Sequence, residues 1–265
     1  TSGIDSTGKL LGISSEIEEL RTLCARNAEQ DRWRILSLHQ DIAEKVMAAS
    51  LDVDATIAQI ENEIARADEV HSYLSDRRDR RVNRDNLLSV ILGGGLGATS
   101  SGLQLSSSLT QPGAAVGIAA GTISASLAVA GIRAQKGERT KFDFQSNMLA
   151  EFFDRPLLPD SHYSEMIWEF LNEPPANTPA APTRKQQLLK TWIQVKRIET
   201  LASAGKIERL TSQPSEQVKL SIDDFEDRAA MLQDVSARIS FLKRDLARLL
   251  SSLPPLASAK RLSEQ

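Results

Sequence analysis

Residues 35–74 read ILSLHQDIAEKVMAASLDVDATIAQIENEIARADEVHSYL, and their apolar positions recur at steps of three and four. Ile35, Leu38, Ile42, Val46, Ala49, Val53, Ile57, Ile60, Ile64, Ala67 and Leu74 therefore share one side of a helix, with a single interruption at His71. Strand alternation is absent, the opposite face is polar and charged, and no Gly or Pro occurs between Ile13 and Leu92. The pattern predicts one very long amphipathic helix. It opens near Ser15, where Glu18 completes a capping-box spacing and Ile17, Leu20 and Cys24 begin the stripe. The stripe falters at Asn27 and Asp31, then resumes; Asp31 to Arg84 alone spans roughly 80 Å as a helix. A helix of that length needs a partner to cover its apolar side.

The partner lies near the C-terminus. Ser221 with Asp224 reads as an N-cap, and Phe225, Leu232, Val235, Ile239, Leu242, Leu246, Leu249 and Leu253 keep a heptad-like seam that Pro254-Pro255 ends. Pairing this seam with the Ile35–Leu74 stripe gives an antiparallel or three-helix coiled coil. The fold class expected is all-α: a long coiled coil or helical bundle, a Gly/Ala-rich apolar helical hairpin at one end and a smaller irregular helical region. Its parts are residues 1–86 (stalk helix), 87–132 (hairpin), 133–220 (short helices and a Pro-rich linker) and 221–265 (C-terminal helix and tail).

In the irregular part, Asn147 to Phe153 and Tyr163 to Leu171 read as short helices, and Pro174 to Pro182 as a linker or surface strap. Thr183 caps a helix whose Leu188, Leu189, Trp192, Val195 and Ile198 face one way. Ile207 to Leu210 and Val218 to Leu220 read as a small hairpin. Phe152, Phe153, Trp168 and Trp192 are read as core aromatics that pack this region onto the long helices, and Cys24 as a small apolar core residue.

The 265 residues hold 32 Lys+Arg against 35 Asp+Glu, a net charge of −3 that argues against electrostatic nucleic-acid binding. One Cys excludes an intrachain disulfide, and His39, His71 and His162 are too dispersed to form a ligand set. No Gly-x-Ser-x-Gly occurs, and Gly93 to Gly97 lacks the Lys-Ser or Lys-Thr of a phosphate loop. The acidic run Asp223, Asp224, Glu226 and Asp227 suits a helix N-terminus better than a cation. The expectation is a non-enzymatic protein with no catalytic residue, no metal site, no cofactor and no small-molecule substrate. Thr1-Ser2-Gly3, with no initiator Met, reads as the start left by leader removal, which predicts a membrane-associated, periplasmic or extracellular protein of the cell envelope.

From Leu87 to Ile132 the chain has no Asp, Glu, Lys, Arg or His, and nine of its fourteen Gly fall there. Thr110-Gln111-Pro112-Gly113 divides the segment into two arms that as helices are roughly 34 and 28 Å long, near the roughly 30 Å of a bilayer core. Small residues recur every fourth position, at Gly94, Ala98 and Gly102 in the first arm and Gly113, Gly117, Gly121 and Ala125 in the second. Such faces allow close helix packing, and they are read as the oligomerisation surface. Ser100, Gln104 and Ser107 point instead to water or neighbouring subunits. Arg77, Arg78, Arg80, Arg81 and Arg84 precede the segment and Arg133, Lys136, Arg139 and Lys141 follow it, a candidate set for anionic headgroups.

These features predict a structural or assembly subunit of a cell-envelope complex, a homo-oligomer or part of a larger assembly, that contacts a bilayer through its hairpin. A long helical stalk with an uncharged hairpin also resembles, in general plan, the α-helical pore-forming toxins. The resemblance is architectural, with no residue motif behind it, and it implies as second reading a pore-former that inserts the hairpin into a target membrane.

Overall fold

A computed structural model describes residues 2–26, 28–104, 140–141, 147–157, 162–212 and 218–255, with backbone alone for 2, 84–104 and 140–141. The chain is mostly helical, with helices α1 (Ser2–Leu10), α2 (Ser14–Arg26), α3 (Arg32–Gln104), α4 (Glu165–Asn172), α5 (Arg184–Gln194), α6 (Ala204–Thr211) and α7 (Ile222–Ser252). Two short strands, β1 (Thr140–Lys141) and β2 (Lys219–Leu220), pair antiparallel. The chain forms two compact units. One comprises Thr1–Ala65, Asp143–Glu216 and Asp227–Gln265; the other comprises Arg66–Phe142 and Gln217–Glu226.

The single helix expected from Ser15 is corrected to two, α2 and α3, with a break between them; α1 precedes α2 across a first break. At the first break Gly12 adopts φ +64°, its N–H reaching Lys9 O and that of Ile13 reaching Gly8 O. This is a Schellman cap, and Gly takes the left-handed position at least cost. Gly8 matters for another reason: a Cβ there would meet the Ile17 side chain at 3.0 Å, so its bareness lets α1 lie close to α2. At the second break Ala28 is extended and a 3-10 turn at Glu29–Asp31 leads into α3. The Ser15–Glu18 capping box does not form. α2 starts at Ser14, and the Ser15 hydroxyl donates to Glu16 at 2.8 Å.

After the break α2 folds back along α3. Arg34 Nε and Nη2 both donate to the Glu19 carboxylate at 2.7 Å, and Lys45 Nζ donates to Glu16 at 2.9 Å. The hydrogen bond from Lys45 leads the causes that pull the Glu16 carboxyl down to about 2. Glu19 and Arg34 lie close to the break while Glu16 and Lys45 lie farther from it, so α2 and α3 run antiparallel.

One apolar core fills the first unit. It combines Ile35, Leu38, Ile42, Val46, Ala49, Val53 and Ile60 of α3 with Leu232, Val235, Ile239, Leu242, Leu246 and Leu249 of α7, the two stripes the periodicity marks. The cross-helix pairs Glu63 with Arg228 and Asp54 with Lys243 advance in opposite chain directions, so α3 and α7 are antiparallel there. Cys24 packs against this core, half-buried.

The short helices close the core with aromatics. Phe152 lies 5.5 Å from Trp192 and 5.7 Å from Trp168, and Tyr163 stacks on Trp168 at 5.7 Å. Buried Arg184 ties down the Pro-rich strap. Its Nη1 donates to the carbonyls of Phe170, Glu173 and Pro174 at 2.9 to 3.1 Å, satisfying carbonyls at the end of α4. The hairpin expected at Ile207 to Leu210 and Val218 to Leu220 is also corrected. Ile207 and Leu210 belong to α6, and β2 pairs with β1 in the register Thr140 to Leu220 and Lys141 to Lys219. Ile207 and Leu210 are three residues apart, the spacing of one helix face, and both are buried.

Candidate functional site

The sequence points to the hairpin and its basic flanks, and the described part of that region belongs to the second unit. α3 continues without a break past Leu74 to Gln104, so the first basic cluster and the start of the uncharged segment share one helix. Gly94, Ala98 and Gly102 lie on α3 at fourfold spacing and hence on one side of it. Gly113, Gly117, Gly121 and Ala125 lie outside the described residues, as do Arg133, Lys136 and Arg139. Among the described residues no helix is long and apolar enough to cross a membrane.

Helical geometry sorts the basic cluster into two parts. Arg77, Arg80, Arg81 and Arg84 are spaced i, i+3, i+4 and i+7 and so share one face of α3. Arg78 falls off that face, and its Nε pairs with Asp79 at 3.0 Å. Asp79 falls on the far side of the helix, while Asp76 and Asp85 lie four residues from Arg80 and Arg81 and border the arginine face at its two edges without dividing it. Arg77 and Arg80 are exposed and Arg81 is half-buried.

Lys141 is the first described basic residue after the uncharged segment, and it sits in β1 opposite exposed Lys219 of β2. Lys219 is a cation that sequence reasoning missed. No local motif marks it, because its neighbour in the sheet is distant in the chain.

Elsewhere, a cavity of about 430 Å³ in the first unit is lined by Lys196, Arg197, Lys206 and Arg209 together with Glu199, Ser203, Ala204 and Gly205. Asp227 occupies two of those cations, lying 2.8 Å from Lys206 Nζ and 3.4 Å from Arg197 Nη1. A second cavity of about 360 Å³ pairs apolar Phe152, Phe153, Leu189 and Leu201 with Lys185 and Asp154, which face each other at 3.6 Å. Among the described residues no three His, Cys, Asp or Glu side chains cluster as metal ligands would.

Compared with protein-family models, with curated proteins and with solved structures, the chain matches none.

Proposed function

We propose that this protein is a non-enzymatic structural or assembly subunit of the cell envelope, in which a coiled-coil stalk carries a Gly-rich helical hairpin that oligomerises and meets a membrane. One observation carries the reading. α3 runs in one piece from the core stripe, through the arginine face, into the uncharged small-residue segment, so all three share one helix. A long continuous helix suits a spacer. The Arg77, Arg80, Arg81 and Arg84 face then supplies headgroup contacts just before the hairpin, and the small-residue faces supply subunit contacts.

The same continuity supports the pore-former as second reading, since an inserting hairpin needs a stiff arm behind it. Light scattering on detergent-free protein, followed by flotation with anionic liposomes and dye release, tests both readings. The assembly reading expects large particles that float and leave vesicles sealed; the pore-former expects a monomer that releases dye. Gly117→Leu and Gly121→Leu are each expected to reduce particle size. Unchanged size in both variants removes the small-face packing, and absence of flotation removes the membrane from the reading.

A further inference from the structure

The solvent side of α3 carries large apolar groups that the core does not use. Trp33 is 82% exposed, Met47 65%, Leu51 64% and Leu36 44%. At 3.6 residues per turn these four fall within about 60° of arc, on the far side of the helix from Ile35, Leu38, Ile42, Val46 and Val53. Singly exposed apolar residues are ordinary, but four aligned on one helix form a face that lacks a partner. On the same strip, Gln40 Nε2 donates to Glu44 at 2.9 Å.

The strip reads nearly alike from either end. Trp33 and Leu51 are equidistant from Ile42, as are Gln40 and Glu44, while Leu36, six residues before Ile42, is nearly mirrored by Met47, five after it. Two copies laid antiparallel about Ile42 therefore set Trp33 against Leu51 of the other copy and Leu36 against its Met47. The Gln40 amide meets the opposite Glu44 carboxylate, twice by symmetry. A parallel pairing would set Glu44 beside Glu44 and Trp33 beside Trp33. A polar pair inside an apolar seam is a known determinant of register and orientation.

We propose that this outer face of α3 is a homodimer seam, filled by the same face of a second copy of the chain in antiparallel orientation. The contact is isologous, as twofold symmetry requires. From Trp33 to Leu51 it is only roughly 27 Å long, so it is small for an interface and the dimer depends on concentration. The seam is separate from the Gly-rich hairpin and stands or falls without it.

Sedimentation of the full chain through a micromolar dilution series tests the seam, run on both the native chain and the Gly117→Leu chain so that hairpin assembly is scored apart. Met47→Glu and Leu51→Glu alter only the solvent side of α3, and unchanged circular dichroism verifies that they fold. Each is expected to halve the mass at the highest concentration and abolish its dependence on dilution. Orientation is read by oxidative cross-linking in a Cys24→Ser background. Ala43→Cys, near the dyad, is expected to link to itself; Leu51→Cys alone is not, and Trp33→Cys with Leu51→Cys is. A mass unaffected by Met47→Glu and Leu51→Glu overturns the seam, and Leu51→Cys linking as readily as Ala43→Cys overturns the antiparallel arrangement.

Discussion

Arg228 is fully buried, yet it is charged. Its Nη2 pairs with Glu63, while Nη1 donates to the Leu210 carbonyl and, at 3.1 Å, to Asn147 Oδ1. The other Glu63 oxygen accepts from Met148 N–H at 2.9 Å, and Tyr163 O–H donates to Met148 O at 2.8 Å. Burial lowers the guanidinium's pKa, which the charge and hydrogen bond of Glu63 oppose, and burial also pushes the Tyr163 phenol well above its ordinary value. Desolvating such a pair costs several kcal/mol per ion, so its effect is to hold α3, α7 and two loops in a single register. Arg228→Met leaves a carboxylate buried alone and is expected to cost about 3–5 kcal/mol in urea unfolding. Adding Glu63→Leu should recover part of that loss but not all, because the Met148 N–H then lacks its carboxylate partner, at about 1–3 kcal/mol. A double variant as unstable as the summed singles would show the pair to be uncoupled.

Where an element's start is set by residues beside it, the sequence reveals the element. Thr183 Oγ accepts from Gln186 N–H at 3.1 Å while the Gln186 side chain accepts from Thr183 N–H at 3.0 Å, the reciprocal box that caps α5. Ser221 and Asp224 make the same exchange at the start of α7, at 3.2 and 2.9 Å. Thr183→Ala is therefore expected to destabilise the first unit by about 1 kcal/mol, with Thr183→Ser close to neutral. Equal chemical-denaturation midpoints for Thr183→Ala and the native chain would mean that tertiary packing alone holds α5. The stripes of α3 and α7 were legible for a similar reason, since their period is a local property. The break between α2 and α3 was visible only as a faltering stripe, because no Gly or Pro marks it. What folds α2 back is the meeting of Glu19 with Arg34 and Glu16 with Lys45. β2 was illegible as a partner of β1, and Glu63 looks like any solvent-facing acid until Arg228 arrives from the far end of the chain. Of the candidate site, the arginines could be read from composition. Their shared face needed a continuous helix, and the Trp33 to Leu51 strip was masked by the stronger core stripe on the same helix.

Taken whole, the chain carries 32 basic and 35 acidic side chains, a net charge of −3, so an anionic bilayer repels it on average. Attraction must come from a local departure from that average, felt at close range. Screening sets the range at about 10 Å in 0.1 M salt, enough for the Arg77, Arg80, Arg81 and Arg84 face to act before distant acids do. Each basic residue at such a surface contributes about 1 kcal/mol, so Arg80→Glu, Arg81→Glu and Arg84→Glu together are expected to weaken binding to anionic vesicles about a hundredfold or more. Helix content should be unchanged, since Glu and Arg are comparably good helix formers. Added salt should weaken the native chain in the same direction and affect the triple variant less. Flotation of both chains over a salt series checks this, with neutral vesicles as the reference. If the triple variant floats like the native chain, the arginine face has no headgroup role. If the native chain floats equally with neutral vesicles, any affinity resides in apolar surface such as the uncharged segment 87–132, because only apolar burial is indifferent to the sign of the surface.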